Sequence, residues 1–241
     1  NNVTVATGTE YTMEQLGDFN FIKDNFYVVD STTSLLPEEM SADKLAEDVS
    51  VDIASGEYKV LIYHTHGSEA FVDSRPGVTE DTIIGVGDEL TRILEEKYHI
   101  KVYHDRNVYD MVNGTLDRSY AYNLSREGAK KVLAENPSIE VAIDLHRDGV
   151  AESTRLVTEI DGKPTARIML LNGVSRLNTK GDIEYLHNPY RQTNLAFSFQ
   201  MYVEGKKLYG DYLRKIYIRG YRYNLDLLPR TALIEVGAQN N

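Results

Sequence analysis

The strongest constraint on this chain is a repeated boundary. From Tyr58 onward, short apolar runs stop abruptly at polar or charged residues and alternate with stretches of helical periodicity. Residues 59–63 are apolar after the lysine and stop at His64; residues 139–145 are largely apolar and run into His146-Arg147-Asp148; residues 232–237 are interrupted by Glu235. Buried strands read this way, because both faces of such a strand are covered by other elements. Between them, residues 80–97 place Ile83, Val86, Leu90, Ile93 and Leu94 on one helical face, and 124–135 read as a helix that stops before Pro137. Residues 100–103 predict a further strand, and 154–159 and 166–171 flank Asp161-Gly162, a hairpin signal. Residues 189–214 predict a long helix, weakened by Gly205 and Gly210. The alternation predicts an α/β fold, a sheet sandwiched between helices. With 241 residues, one sizeable domain is expected.

Residues 1–57 read differently. Tyr11 to Leu16 forms a short element, Phe26 to Asp30 reads as extended, and a helix is predicted from Ser41, its N-cap, with Leu45 and Val49 as an apolar pair. This gives an N-terminal extension, 1–57, packed on a main domain, 58–241. The chain opens on Asn1-Asn2-Val3, neither a signal peptide nor an initiator methionine, and is expected to be a fragment or a processed product. It holds no run of 18 apolar residues that would span a membrane.

Ligands in open α/β sheets bind beyond the carboxyl ends of strands, and three strand ends here hold chemically capable side chains. The first continues as His64-Thr65-His66-Gly67-Ser68-Glu69, the second as Asp144-Leu145-His146-Arg147-Asp148, and the last carries Glu235. The chain has no cysteine, so thiol catalysis and thiolate metal sites are excluded, and any zinc site must be built from histidine and carboxylate. His66 and Glu69 share one turn and His146 supplies a distant third ligand, leaving the fourth position to a water whose pKa falls to roughly 7. Glu80, at a predicted helix start, competes with Glu69 but also suits a cap. Glu235 interrupts an apolar strand where a charge is costly, and fits the group that takes the water's proton and passes it to a leaving amine. Arg147 is a candidate for stabilising an oxyanion or gripping a carboxylate, and Asp144, Arg147 and Asp148 for supporting His146. His64 reads as a packing or supporting histidine, His99 and His104 as surface or edge residues, and His187 as exposed loop.

The net charge of −11 argues against sequence-independent nucleic-acid binding. The stretch from Tyr202 to Tyr223, with Lys206, Lys207, Arg214, Lys215, Arg219 and Arg222, concentrates cations and aromatics. It reads either as a local patch for an anionic or sugar polymer or as a helix with a solvated charged side and tyrosines in the core.

Three motifs in this order, Tyr63-His64-Thr65-His66-x-x-Glu69, Asp144-Leu145-His146-Arg147-Asp148 and Leu233-Ile234-Glu235-Val236-Gly237, resemble the stage II sporulation protein P family, cell-wall hydrolases of endospore-forming bacteria. Phe26 to Thr33 is also of that family's type. More distantly the chain is similar to zinc-dependent N-acetylmuramoyl-L-alanine amidases. The resemblance implies a three-layer α/β sandwich with a mostly parallel, mixed central sheet, zinc amidase- or carboxypeptidase-like. It implies hydrolysis of the amide linking muramic acid to L-alanine in peptidoglycan, with some members also credited with cutting peptide cross-links. By carry-over, His66 and His146 match the zinc histidines and Glu235 the catalytic glutamate; Glu69 is the chosen carboxylate ligand, with Glu80 the alternative from the wider amidase group. The family further implies an extracytoplasmic place at the sporulation septum and engulfing membrane, an anchor absent from these residues, and stage II sporulation protein D, a lytic transglycosylase, as partner. Two rival classes stay open: a zinc carboxypeptidase or endopeptidase, and a metal-free wall-binding or partner-docking module.

Overall fold

The computed structural model describes residues 11–54 and 56–241, so the first ten residues of the expected 1–57 extension lie outside the described residues. The main sheet has seven strands. In chain order they are β1 (Tyr27–Val29), β2 (Tyr58–Tyr63), β3 (Lys101–His104), β4 (Val141–Asp148), β5 (Ile168–Gly173), β6 (Ile216–Arg219) and β7 (Thr231–Ala238). Their spatial order is β1-β6-β5-β7-β4-β2-β3. Every neighbouring pair is parallel except β5 and β7, which run antiparallel. The sheet is therefore two parallel blocks of opposite direction, joined where β7 lies against β5.

Strand alternation sorts the apolar residues onto two faces. Val60 and Ile62 of β2 and Val141 and Leu145 of β4 meet Ile83, Val86, Leu90 and Leu94 of α4 (Ile83–Tyr98). On the same side, Leu170, Ile216 and Ile218 meet Leu195, Phe199 and Tyr202 of the long helix over Arg191–Tyr209. On the opposite face, Leu61, Tyr63 and Ala142 pack on Ala129 and Val132 of α5 (Ala121–Glu135), and Leu171 and Leu233 pack on Leu225 from the loop before β7. The result is a three-layer α/β sandwich with a mixed central sheet. Among the described residues no helix is long and apolar enough to cross a membrane.

Among the described residues before Tyr58, those of 19–45 contribute side chains to this core. The helices α1 (Met13–Gly17) and α2 (Phe19–Phe26) lead into β1, which extends the sheet beside β6. Asp18 caps α2 by accepting from the backbone N–H groups of Asn20 and Phe21. Ile22 and Phe26 are fully buried, and the Phe26 ring lies 5.1 Å from that of Phe199 and 5.5 Å from that of Tyr202. Further along, the guanidinium of Arg176 donates to both oxygens of Glu39, at 2.9 and 2.6 Å, in a buried bidentate pair.

Several element boundaries differ from the sequence reading. The helix from Ser41, α3, covers only Ala42–Leu45, without Val49. The long helix, α6, ends at Tyr209 rather than Arg214, because Gly210 adopts φ 56 and turns the chain. The hairpin at Asp161-Gly162 pairs Val157–Ile160 with Lys163–Ala166, both turn residues having positive φ, whereas β5 is a separate strand of the main sheet. β6 was hidden in the tyrosine-rich stretch: Tyr217 and Arg219 alternate with buried Ile216 and Ile218, a strand pattern inside a segment readable as helix.

Phe26→Ala opens a cavity between α2 and α6. A loss of about 3–5 kcal/mol is expected, lowering the thermal midpoint by roughly 6–20 °C. Differential scanning calorimetry measures it, and a shift within one or two degrees would show that the N-terminal helices do not share the main core.

Candidate active site

Because β2, β4 and β7 are mutually parallel through β4, their carboxyl ends lie along one edge of the sheet. Position parity then decides which side chains meet. Asp144 and His146 of β4 and Glu235 of β7 leave the sheet on the α5 face, and Glu235 is in register with His146. The turn after β2 brings His66 and Glu69 to the same place: the Glu69 N–H donates to the His66 carbonyl at 3.1 Å, and the Glu69 carbonyl accepts from Ile83 at 2.9 Å at the start of α4.

The rings of His66 and His146 are 5.3 Å apart and nearly perpendicular. His146 Nδ1 lies 3.8 Å from Glu69 Oε2. Tyr122 of α5 backs both histidines, its ring 5.6 Å from that of His66 and stacked at 6.5 Å on that of His146. Glu80 is not part of this cluster: it is exposed and pairs with Arg106 at 3.2 Å.

Asp144 organises the floor. Fully buried, it accepts from the Thr65 backbone N–H at 2.8 Å and from the Thr65 hydroxyl at 2.6 Å. Its Oδ1 is also 2.8 Å from His146 Nε2, although the ring N–H is out of line for a hydrogen bond. Burial works against the Asp144 charge, but His146 and Thr65 outweigh it and hold the carboxyl below its usual range. Burial likewise opposes the His146 charge, and Asp144, Glu235 and Glu69 overcome it, raising His146 to about 9. His66, desolvated and repelled by His146, falls to about 4. Glu235, desolvated and facing Asp148, Glu69 and Asp144, rises to about 7 despite the attraction of His146. Burial also raises Glu69.

Sequence reasoning missed Asp110 and misread His104. Asp110 lies in the irregular stretch between β3 and α5, is fully buried, holds Ser68 through its backbone N–H and hydroxyl, and stands 3.8 Å from His66 Nδ1. No local pattern marks such a residue. His104 is not a plain edge residue: its Nε2 is 2.8 Å from His64 Nε2, its Nδ1 is 3.0 Å from Asp88 Oδ1, and His64 Nδ1 contacts the Leu145 carbonyl at 3.0 Å. A Cβ on Gly87 would lie 2.6 Å from His104 Nε2, so the glycine makes room for this pair under α4. Arg147 contributes its backbone N–H, which donates to Glu69 Oε2 at 2.9 Å. Its guanidinium donates to the Asp148 carbonyl at 3.4 Å, and its charge helps offset the burial of the Glu69 carboxylate. His99 and His187 are exposed, as read.

Whether these residues suit a metal can be tested on their unmet polar atoms. His66 Nδ1, His146 Nε2 and Glu235 Oε2 are buried without a hydrogen-bond partner. Orphaned buried polar atoms are rare and costly. Two histidines and a carboxylate are a donor set appropriate to zinc with an open position, Asp110 and Asp144 facing one nitrogen of each imidazole and leaving the other for a metal. Among the described residues, no group of three such side chains already converges with the geometry of a metal site. The donor chemistry of the set fits zinc.

A family model for stage II sporulation protein P (SpoIIP) matches residues 15–241. Stage II sporulation protein P of Bacillus subtilis (strain 168) is 25% identical over 216 residues, 85% of this chain and 51% of that protein. The chain thus spans about half the length of the curated relative it matches. Among solved structures, the apo form of the N-acetylmuramyl-L-alanine amidase Ami1 from Mycobacterium abscessus aligns with a TM-score of 0.42 at 13% identity, over 77% of this chain and 85% of that one. Ami1 from Mycobacterium smegmatis aligns with a TM-score of 0.42 at 14% identity, over 80% and 86%.

The His146 proton links the site to stability. Its pKa is raised from 6.5 to about 9, so in metal-free protein the stabilisation is fully present below pH 6.5 and is lost as pH rises through about 9. Asp144→Asn removes the carboxylate chiefly responsible, and its unfolding free energy is expected to vary less than that of the parent across this window. Urea denaturation at a series of pH values measures both; equal slopes would show that Asp144 is not the cause.

Proposed function

The chain belongs to the stage II sporulation protein P family, and from that premise we propose that it is a zinc-dependent peptidoglycan hydrolase cutting the amide between N-acetylmuramic acid and L-alanine. The observation that carries this reading is the meeting of His66, Glu69 and His146 beside Glu235, whose Oε2 is buried without a hydrogen-bond partner. His66, Glu69 and His146 are the proposed ligands. Zinc bound there supplies Lewis acidity and a water of lowered pKa.

The rest of the chemistry falls to the chain itself. Asp144 and Asp110 orient the two imidazoles, and the Arg147 N–H fixes the Glu69 carboxylate. Glu235 in its unprotonated form accepts a proton from the attacking water. As the water oxygen bonds to the carbonyl carbon and the C–N bond breaks, Glu235 gives that proton to the departing amine. Raised by burial to about 7, it is poised to exchange a proton near neutrality rather than remain a spectator anion. Tyr122 shields the imidazoles from solvent on the α5 side. Cleavage of peptide cross-links is a second reading, favoured by the basic cavity beside Glu235 described below. Family membership supports an extracytoplasmic place at the sporulation septum, with the lytic transglycosylase stage II sporulation protein D as partner.

Glu235→Gln is expected to lower turnover of purified peptidoglycan by about 10²–10⁴-fold while retaining one equivalent of zinc by elemental analysis. His66→Ala and His146→Ala should each lose the metal. Digestion with and without chelator, followed by identification of the new termini, tests the bond. Freed L-alanine amino termini support amide cleavage; released amino acids or cross-link fragments alone would replace it with the peptidase reading.

A further inference from the structure

The tyrosine- and lysine-rich stretch builds a second feature that the hydrolytic residues do not use. Where β5 runs antiparallel to β7, the start of β5 lies on the same sheet edge as the end of β7, and Met169 is in register with Glu235. Beyond Met169 opens a cavity of about 360 Å³, walled by Arg167, Arg214, Lys215, Asp148 and Tyr217. That volume is in the range of ligand pockets, about 300–1,000 Å³. A bridge between Ile168 and Leu213 and the Arg214 N–H bond to the Ile168 carbonyl at 2.8 Å bring Arg167 and Arg214 together from distant parts of the chain.

The wall holds three cations against one carboxylate. Arg214 donates to Asp148 at 2.7 Å. Lys215 donates to the Asp24 backbone carbonyl at 2.6 Å, and Arg167 to the Asp211 backbone carbonyl at 2.9 Å. The Asp211 carboxylate, 3.8 Å from Arg167, is 81% exposed and is shared with Lys206. Carbonyl dipoles hold the Lys215 and Arg167 groups in place, and the solvent-screened Asp211 carboxylate offsets only part of the Arg167 charge. In a chain of net charge −11, a fixed surplus of cations next to the candidate active site is a local inversion of the overall field. Met169 and the Tyr217 ring supply apolar wall beside them. Cations over an apolar surface match a peptide end or branch, where a carboxylate stands next to an aliphatic side chain; an uncharged glycan would leave the cations unmatched.

We propose that this cavity is a carboxylate-recognition subsite that holds the peptide portion of the substrate, with Arg167, Arg214 and Lys215 as its anion-binding groups. The inference rests on the peptidoglycan reading and sharpens it: the peptide side of the scissile bond lies toward β5 and β6. The probe is the tripeptide L-Ala-γ-D-Glu-L-Lys, compared with the same peptide with every carboxylate amidated. Binding to the 241-residue chain is measured calorimetrically with zinc present and after chelation. The free acid is expected to bind at least about tenfold more tightly than the amide, and Lys215→Ala and Arg167→Ala should each remove most of that difference while keeping the thermal midpoint. Lys215→Glu, at an exposed position, provides the charge reversal and should abolish the preference. Equal affinity for acid and amide, no binding of the acid, or unchanged preference in the variants would overturn the subsite. Failure to bind zinc or to cut the amide overturns the proposed reaction instead, because the peptide preference is read without turnover.

Discussion

Asp144 is the constraint on which the candidate site depends. A carboxylate with no solvent access must be satisfied from every side, and this one is met by Thr65 and flanked by His146. Thr65 precedes His66, so the same carboxylate that faces the β4 histidine also anchors the turn carrying His66 and Glu69. The Thr65 hydroxyl continues to Ser125 of α5 at 2.8 Å, and Ser125 contacts Asn224 at 3.2 Å in the loop before β7. A single buried charge thus ties together the segments that supply the chemistry.

The opposite face of β4 is held by different means. His64 reaches across to the Leu145 carbonyl and is itself met by His104, with Gly87 giving the two rings room under α4. His146 therefore sits on a strand pinned from both sides, by Asp144 below the α5 layer and by the histidine pair below the α4 layer. Such two-sided support is what keeps ligand-type side chains within a productive geometry.

The main-chain architecture was legible because its signals are local. Apolar runs that stop at His64 and His146 marked strands buried on both faces, and the spacing of Ile83, Val86, Leu90 and Leu94 marked α4. The candidate site residues His66, Glu69, His146 and Glu235 were legible as polar interruptions at strand ends, and Asp144 as a candidate support for His146. What was not legible depends on tertiary placement. β6 carries its pattern over only four residues, flanked by tyrosines and arginines that fit a helix equally well. Asp110 and His104 gain meaning only once β3 and the following loop are folded against β2. At Arg147 the residue type suggested a guanidinium contact, and the backbone N–H bond to Glu69 was not legible from it.

The reversal of strand direction between β7 and β5 has an organisational consequence. On one side of that seam the polar cluster comes from β2, β4 and β7; on the other, the basic cavity comes from Arg167 at the threshold of β5 and from Arg214, Lys215 and Tyr217 leading into and along β6. The two sets meet at one edge yet belong to different stretches of chain and different parallel blocks. Asp148 spans the seam, reaching from β4 to Arg214, so a change of charge in the cavity is felt at Glu235.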